Sequence, residues 1–380
     1  MGSKILVGNN IEKLKEIESE SVDCIVSSPP YFGLRDYGTG TWEGGDPNCP
    51  HKRLTKISKD TATGHAGMYE QGHVVGDAIY KQICPECGAK RIDEQFGLEE
   101  TLEEYIEKTV LLFEELRRVL KPQGTVWWNL GDSYASKSSA WGGRGKNSIL
   151  NKTGLEDKQR RNTVVPDGLK AKDLMMIPSR VAIALSENGW YLRSEIIWHK
   201  PNPMPESVKD RPTSAHEKIY LFAKNKKYYY DADAIRVPQK QDSIARAGRD
   251  VWKNNKIDTG NYSIPNVDSA KKLNQKVRDT VAEGKIPMAN KRNVWTVTTK
   301  PFRGAHFAVF PPDLIEPCIK AGCPKGGTVL DPFGGSGTTG LVANNLGRNA
   351  ILIELNEEYV KIAKKRLGED LGLFSEVKDG

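Results

Sequence analysis

A glycine-rich turn constrains the fold of this chain more than any other feature of its sequence. An apolar stretch over 328–330 has the pattern of a short strand, and Asp331-Pro332-Phe333-Gly334-Gly335-Ser336-Gly337-Thr338 follows it directly. A helical pattern then runs over 338–345. Because glycine has no Cβ, a strand, a glycine turn and a helix in this order bring backbone amides close to a ligand. The turn is not a phosphate-binding P-loop, since no Gly-Lys-Ser/Thr sequence closes it.

The strand that follows this turn ends on an acidic residue. Its apolar pattern covers 350–353, and Glu354 comes next. A carboxylate about 20 residues beyond such a turn can accept hydrogen bonds from two ribose hydroxyls. The turn and Glu354 together predict a site for a cofactor that contains adenosine.

Strand and helix patterns alternate along the rest of the chain. Strands are predicted over 4–8, 22–27, 125–130, 191–199 and 218–223, and helices over 10–18, 98–120, 178–188, 312–321 and from 357 onward. We expect Asn10 to cap the first helix. The alternation predicts an α/β fold with a doubly wound, mostly parallel sheet that is covered by helices on both faces. Such sheets bind ligands beyond the carboxyl ends of their strands.

A second motif, Ser28-Pro29-Pro30-Tyr31, begins at the end of the predicted strand over 22–27. The prolines fix φ and remove backbone donors, so they hold neighbouring acceptors in a set geometry. Alone, the motif would indicate only a proline-rich turn. Its position after a core strand, together with the Asp331 turn and Glu354, instead predicts a catalytic site.

Two segments concentrate the positive charge of a chain whose net charge is +7. The range 236–300 holds 14 lysines and arginines against 6 acidic residues, and 137–172 holds 9 against 3. Positive charge by itself would indicate solvated loops. Basic segments near a catalytic site instead indicate loops that contact phosphates. The candidate phosphate-binding residues are Lys271, Lys272, Lys276, Arg278, Lys291 and Arg292. No apolar run is long enough to span a bilayer and no signal-peptide pattern is present, so we expect a cytoplasmic protein.

The region 39–95 has no clear period and contains a set of metal-type ligands. Cys49, His51, Cys84 and Cys87 are the proposed set, and His65 and His73 are alternatives to His51. Four nitrogen and sulfur ligands with a Cys-x-x-Cys-Gly sequence are typical of structural zinc. The alternative is a group of unrelated surface thiols. Cys24 and Cys318 lie in apolar patterns and are predicted to be core residues.

The two motifs together resemble those of the DNA amino-methyltransferases, which use S-adenosylmethionine. In that family a [D/N/S]-P-P-[Y/F/W] motif forms the catalytic site and a D-P-F-x-G-S-G-T motif forms the cofactor site. The catalytic motif comes first here, which resembles the β group of the family. The resemblance also includes 116–124, 195–200 and 306–314, and it implies a Rossmann-like methyltransferase fold.

The resemblance also implies roles for individual residues. Ser28, Pro29, Pro30 and Tyr31 would be catalytic: the Ser28 side chain and the Pro29 carbonyl would accept hydrogen bonds from the target amine, and Tyr31 would stack on a base flipped out of the duplex. The cofactor would contact Asn9, Asp331, Pro332, Phe333, Gly335, Ser336, Gly337, Thr338, Glu354 and Asn356. Many relatives have Gly-Asp where this chain has Gly8-Asn9, which puts the contribution of Asn9 in doubt.

The predicted function is transfer of a methyl group from S-adenosylmethionine to an exocyclic amine in double-stranded DNA. The serine form of the motif favours cytosine N4. Methylation of adenine N6 and a non-catalytic DNA-binding relative are the alternatives. A cognate restriction endonuclease and a second copy of the chain are potential partners, and a bacterium, archaeon or phage would encode the protein. Membranes are not expected partners.

The resemblance divides the chain into functional regions. Residues 1–38 and 96–235 are predicted to form the catalytic half of the core, and 299–380 the cofactor-binding half. The other predicted regions are a zinc-binding insertion over 39–95, a basic loop over 136–172 and a target-recognition region over 236–298.

Overall fold

The structure is a computed structural model that describes residues 2–33, 39–49, 83–84, 86–99, 101–135, 169–248, 267–299, 309–371 and 377–379. The chain forms two compact units. One consists of Met1–Tyr229 and Asn293–Gly380, and the other of Tyr230–Arg292. Among the described residues, no helix is both long and apolar enough to cross a membrane.

The strands, in chain order, are β1 (Ser3–Val7), β2 (Val22–Ser27), β3 (Thr41–Glu43), β4 (Lys90–Ile92), β5 (Leu120–Leu130), β6 (Tyr191–His199), β7 (His216–Ala223), β8 (Val237–Pro238), β9 (Met288–Ala289), β10 (Val294–Thr296), β11 (Thr328–Asp331), β12 (Asn349–Glu354) and β13 (Val377–Asp379). The helices are α1 (Asn10–Leu14), α2 (Leu102–Val119), α3 (Ile177–Glu187), α4 (Gln241–Gly248), α5 (Val267–Ala282), α6 (Pro312–Gly322), α7 (Thr338–Asn345) and α8 (Glu357–Leu371).

A nine-stranded sheet in the described part of the chain organises the larger unit. Its strand order is β10-β6-β7-β5-β2-β11-β12-β1-β13. Strand β7 is antiparallel to both of its neighbours, and the other strand pairs of the sheet are parallel. The predicted α/β fold with a mostly parallel sheet is confirmed. Strands β2 and β11 are neighbours, and the chain continues from β2 to β5 on one side and from β11 to β12 on the other. Sheets of this kind bind ligands in the crevice at such a reversal, beyond the carboxyl ends of β2 and β11.

Helix α2 anchors the catalytic half of the sheet. It begins with a capping box, in which Thr101 Oγ1 accepts a hydrogen bond from the Glu104 amide at 3.1 Å and the Glu104 carboxylate accepts one from the Thr101 amide at 3.3 Å. On its buried face the Phe113 ring meets the Trp128 ring of β5 edge-on, at 4.9 Å between centroids. This face carries Tyr105 to the end of the sheet that holds the Ser-Pro-Pro-Tyr motif.

Two features of the fold differ from the sequence prediction. The cap of α1 is Asn9 and not Asn10: Asn9 Oδ1 accepts a hydrogen bond from the Ile11 amide at 3.0 Å, and Asn10 is already helical. The region 39–95, predicted to lack strands, contains the antiparallel pair of β3 and β4. Each of these strands has only three residues, which is too short for a periodic pattern in the sequence. Their pairing depends on contacts between segments that are far apart in the chain.

The smaller unit, Tyr230–Arg292, contains α4, α5 and the short antiparallel pair of β8 and β9. No helical pattern was predicted for this part of the chain, because its low hydrophobicity hides the amphipathic period. Arg278 of α5 donates a hydrogen bond to the Ala247 carbonyl of α4 at 3.2 Å. The two helices therefore form a linked pair.

Candidate active site

A cavity opens at the carboxyl ends of β1, β2, β11 and β12. Its volume is about 1020 Å³ when the open space at its mouth is included. Of the residues predicted from sequence, those that line it are Asn9, Ser28, Pro30, Asp331, Pro332, Phe333, Gly335, Ser336, Thr338, Glu354 and Asn356. Pro29, Tyr31 and Gly337 are not among the lining residues. The fold thus brings the two predicted motifs to one cavity.

Glycine is required at positions 335 and 337 of the turn for different physical reasons. Gly335 has a φ of +51°, and a Cβ built on it would find only the Phe333 carbonyl oxygen at 3.9 Å. A side chain at 335 would therefore project into open space beside the cavity. Gly337 has a φ of +81°, and its Cβ would lie 3.1 Å from the Ala363 Cβ of α8. Gly337 is a packing position, whereas Gly335 keeps the cavity open.

The Asp331 carboxylate joins three parts of the site. It is 2% exposed, and it accepts hydrogen bonds from Ser27 Oγ at 2.5 Å, Thr339 Oγ1 at 2.5 Å and the Phe333 amide at 3.0 Å. Burial raises the pKa of Asp331 to about 7, although the donated hydrogen bonds act in the opposite direction. The side chain holds the end of β2, the turn and the start of α7 in one arrangement.

Glu354 lies at the end of β12 and faces the same cavity. Its Oε2 accepts a hydrogen bond from the Gly335 amide and its Oε1 from the Asn356 amide, each at 2.8 Å. Burial raises the pKa of this carboxyl, and the backbone amides oppose that shift. A carboxylate oxygen has more than one acceptor site, so both oxygens retain capacity for ligand hydroxyls.

Aromatic residues that sequence analysis missed form part of the cavity wall. The Phe96 ring contacts the Phe333 ring edge-on at 5.2 Å between centroids, and Phe310 and Tyr359 also line the cavity. Lys108 Nζ lies 5.3 Å from the centre of the Phe96 ring. Phe96 stands at the end of the inserted region, where no periodic pattern indicated a buried ring. This wall gives the cavity an apolar surface on which a flat ring can pack.

The tyrosine of the Ser-Pro-Pro-Tyr motif is held by a polar group of its own motif and by polar groups from two strands, β5 and β7. Ser28 Oγ lies 3.3 Å from Tyr31 Oη, and Tyr31 Oη donates to Glu217 Oε2 at 2.8 Å. Asn129 Oδ1 of β5 lies 3.2 Å from the same hydroxyl. Burial, followed by the Glu217 charge, raises the pKa of Tyr31 well above its usual range, so the hydroxyl stays protonated. The Tyr31 ring also packs against Gly131, whose Cβ would lie 2.5 Å from a ring carbon.

The loop after the prolines is fixed by α2 and the segment before it. Tyr105 Oη donates to the Pro30 carbonyl at 3.2 Å, and the Gly33 amide donates to the Gly97 carbonyl at 2.9 Å. Gly97 has a φ of +92°, and a Cβ there would lie 3.0 Å from the Tyr31 carbonyl oxygen. The motif is therefore preorganised by the surrounding protein as well as by its prolines.

Three of the four predicted metal ligands lie together. The ligand atoms of Cys49, Cys84 and Cys87 are all within 4.8 Å of one another, and the sulfurs of Cys49 and Cys84 are 3.8 Å apart. The Gly88 amide donates to the Cys84 carbonyl at 2.9 Å, which closes the turn around the Cys-x-x-Cys sequence. His51, His65 and His73 lie outside the described residues. Cys24 and Cys318 are fully buried, as predicted for core residues.

The candidate DNA-binding residues have different environments in the smaller unit. Lys271, Lys272 and Lys276 are exposed on α5. Arg278 is half-buried and donates to the Ala247 carbonyl and to Gln275 Oε1, at 3.2 and 2.9 Å. Near the end of the unit, Lys291 is half-buried and Arg292 is exposed. Most of the basic loop over 136–172 lies outside the described residues.

Comparison with protein families identifies the chain. The family model for N6/N4 methyltransferases, described as DNA methylase, matches residues 22–365. The chain belongs to this DNA methylase family. This methylase is 37% identical to the Type II methyltransferase M.SmaI of Serratia marcescens over 369 residues, which cover 96% of this chain and 90% of the relative. It is 38% identical to the Type II methyltransferase M.Cfr9I of Citrobacter freundii, with 98% and 90% of the two chains covered.

Solved structures support the fold of the methylase. The PvuII DNA methyltransferase, named as cytosine-N4-specific, superposes with a TM-score of 0.53 at 18% identity and covers 97% of this chain and 87% of its own. The superposition supports the Rossmann-like fold, and the family match shows that the protein is an S-adenosylmethionine-dependent DNA amino-methyltransferase. Its relatives are Type II enzymes of restriction–modification.

Proposed function

We propose that this methylase transfers the methyl group to N4 of cytosine in double-stranded DNA. The observation that carries this assignment is the hydroxyl of Ser28 at the cavity, where the adenine-modifying pattern of the family has a carboxylate. The solved neighbour named as cytosine-N4-specific supports the fold only, so the choice of base depends on Ser28. Adenine N6 is the competing target.

Ser28 and Pro29 are proposed to accept hydrogen bonds from the target amine. The lone pair of an exocyclic amine is delocalised into the ring, which makes the nitrogen a weak nucleophile. Two fixed acceptors favour a tetrahedral nitrogen with a localised pair, and their preorganisation avoids a reorganisation cost during the reaction. Tyr31, its ring held against Gly131, is proposed to stack on the flipped base.

The cavity fits S-adenosylmethionine, which supplies the methyl group when bound. Glu354 offers two carboxylate oxygens for ribose hydroxyls, and Phe96 and Phe333 offer ring surfaces for an adenine. The open space at Gly335 allows a ligand to approach the backbone of the turn. Asn9 lines the cavity, its Oδ1 caps α1, and its Nδ2 donates to Glu94 Oε2 at 3.3 Å. The second proton of Nδ2 is therefore the part of the side chain that is proposed to face a ligand.

Product analysis tests the choice of base. Unmethylated bacterial DNA is incubated with the protein and S-adenosylmethionine, digested to nucleosides and measured by mass spectrometry. N4-methylcytosine is the expected product. N6-methyladenine as the main product would overturn the assignment, and Ser28→Ala, which should greatly reduce either product, serves as the control for a contaminating activity.

We also propose that Cys49, Cys84 and Cys87 bind a structural zinc ion, with His51 as the fourth ligand. In a tetrahedral site with Zn–S distances of about 2.3 Å, two sulfurs lie about 3.8 Å apart. The 3.8 Å between the sulfurs of Cys49 and Cys84 matches this spacing. The ion would stabilise a region that has few apolar residues of its own.

The smaller unit is proposed as the target-recognition region. The exposed lysines Lys271, Lys272 and Lys276 of α5 are proposed to contact phosphates, and Arg278 is proposed to contact DNA in addition to holding α5 to α4. Lys291 and Arg292 are proposed as further DNA contacts. A cognate restriction endonuclease, a homodimer and a cytoplasmic location are the remaining proposals, and the Type II names of the relatives support the first of them.

A further inference from the structure

The reaction leaves a proton that the Ser-Pro-Pro-Tyr motif alone has no base to accept. When the amine nitrogen bonds the methyl carbon, the sulfur–carbon bond breaks and its electron pair stays on sulfur. The nitrogen then carries a positive charge and must lose one of its protons to give the neutral product. In the aspartate form of the motif a carboxylate stands next to the amine, but Ser28 has only a hydroxyl. A hydroxyl can accept this proton only if it gives up its own.

The structure shows where the Ser28 proton can go. Ser28 Oγ donates to Tyr31 Oη at 3.3 Å, and Tyr31 Oη donates to Glu217 Oε2 at 2.8 Å. Tyr31 Oη also lies 3.2 Å from Asn129 Oδ1, but it has one proton, and the closer, charged carboxylate is the stronger acceptor. Because Ser28 donates its only hydroxyl proton to Tyr31, its oxygen keeps lone-pair capacity for a donor in the cavity that Ser28 lines.

The two carboxylate oxygens of Glu217 have different partners. The side chain of Glu217 is 17% exposed, and its Oε1 pairs with Lys200 Nζ, a group that is itself 18% exposed. Lys200 follows β6 and lies 4.3 Å from the centre of the Trp198 ring. Oε2 remains directed at Tyr31.

The placement of Glu217 results from the one antiparallel strand of the described sheet. Strand β7 runs opposite to β5 and β6, so its first residues lie beside the last residues of the parallel strands. Glu217 is the second residue of β7 and pairs in register with Trp198 of β6. A carboxylate from a distant segment therefore reaches the hydroxyl of Tyr31.

We propose that Glu217 is the final acceptor of the proton released from the target amine, through Ser28 and Tyr31. The N–H bond of the methylated amine breaks and its proton passes to Ser28 Oγ. The Ser28 proton passes to Tyr31 Oη, the Tyr31 proton passes to Glu217 Oε2, and the carboxylate becomes a neutral acid. The electron pair of the broken N–H bond stays on nitrogen. This inference rests on the proposed role of Ser28 as an acceptor for the amine.

Two substitutions and their combination test the relay. Glu217→Gln keeps the size of the side chain but removes the proton acceptor, and Tyr31→Phe keeps the ring but removes the hydroxyl that links the two ends. Glu195→Gln is the matched control, because Glu195 on β6 is also a carboxylate paired with a lysine, Lys218 at 3.3 Å. The measurements are the single-turnover rate with tritiated S-adenosylmethionine on unmethylated bacterial DNA, the Kd values for DNA and cofactor, and the melting temperature.

We expect each test variant to lose at least tenfold in the single-turnover rate, with Kd values within twofold of the wild type. Because the relay acts as one unit, the double variant should be no slower than the slower single variant. A Glu217→Gln or Tyr31→Phe rate within twofold of the wild type, or losses that multiply in the double variant, would overturn the relay. If Glu217→Gln does not fold, as its melting temperature will show, Tyr31→Phe alone decides. An adenine product would overturn the choice of base and leave this test intact.

Discussion

Ser27 Oγ donates a hydrogen bond of 2.5 Å to the Asp331 carboxylate across 304 residues of chain. Ser27 is the last residue of β2, directly before the Ser-Pro-Pro-Tyr motif, and Asp331 begins the glycine-rich motif. Both groups are buried. One contact therefore sets the position of the catalytic motif relative to the cofactor motif, and methyl transfer depends on that position because reacting atoms must be held in line.

Removal of this donor should destabilise the protein. Ser27→Ala leaves one hydrogen bond of a buried carboxylate unmade, which costs about 1–3 kcal/mol. Urea unfolding should show that loss in the free energy of unfolding, with a weaker cofactor affinity by calorimetry. Ser194→Ala is the control, because Ser194 on β6 is only half-buried and its Oγ makes a longer hydrogen bond of 3.4 Å to a backbone carbonyl. Equal stability of the two variants would mean that the Ser27 contact contributes little.

The raised pKa of Asp331 predicts a dependence of stability on pH. The pKa is about 7 in the folded protein, and about 3.9 in an unfolded chain. Between these values the folded state binds more protons than the unfolded state, so the contribution of Asp331 to stability is present below about pH 4 and is lost as the pH rises to 7.

Asp331→Asn should remove this dependence, because the amide does not ionise. The melting temperature of the variant, relative to the wild type, should be higher at pH 8 than at pH 5. Asp242→Asn, at an exposed aspartate on α4, is the matched control for the chemical change. If the melting temperatures of Asp331→Asn and the wild type differ by the same amount at both pH values, the Asp331 carboxyl is not protonated in the folded protein.

Gly335→Val should reduce cofactor affinity by blocking the cavity. The new side chain would enter open space at a φ of +51°, so strain and occlusion would act together. Gly326→Val is the matched control, since Gly326 has a φ of +77° and open space around its Cβ but does not line the cavity. Calorimetry should show at least a tenfold rise in the Kd for S-adenosylmethionine in the first variant only. Similar Kd values in both variants would argue against a cofactor contact at the turn.

The zinc proposal predicts about one zinc per chain in metal analysis of the purified protein. Cys84→Ser and Cys87→Ser should lose the metal, and chelation should speed proteolysis within 39–95 while cofactor binding survives. Buried Cys24, Cys318 and Cys323 should stay unreactive towards thiol reagents throughout. Metal-free protein in which Cys49, Cys84 and Cys87 titrate freely would contradict the site.

The exposed lysines of α5 should determine part of the salt dependence of DNA binding. Each phosphate contact contributes about 0.9 to the slope of log affinity against log salt. Replacement of Lys271, Lys272 and Lys276 by glutamine should reduce that slope by about 3 if all three contact phosphates. Lys361→Gln on α8 is the control. Arg278→Gln should instead lower the melting temperature, because it breaks the contact with Ala247.

The sequence by itself determined the class of fold and the two motifs. The predicted bounds of β2, β6 and α7 agree with the structure, because each element has a local apolar pattern with a clear boundary. Prolines follow β2, a lysine-proline pair follows β6, and the glycine-rich turn precedes α7. Residues of both motifs line one cavity because the carboxyl ends of parallel strands meet at one edge of a sheet.

The tertiary structure alone decided which other residues join the site. Phe96 reaches the cavity from the end of a region without a periodic pattern, and Glu217 reaches Tyr31 because β7 is antiparallel to its neighbours. Arg278, which stays a predicted DNA contact, also holds α5 to α4 through the Ala247 carbonyl. Local patterns encode the period and the ends of an element, but strand order and direction depend on contacts between residues that are far apart in the chain.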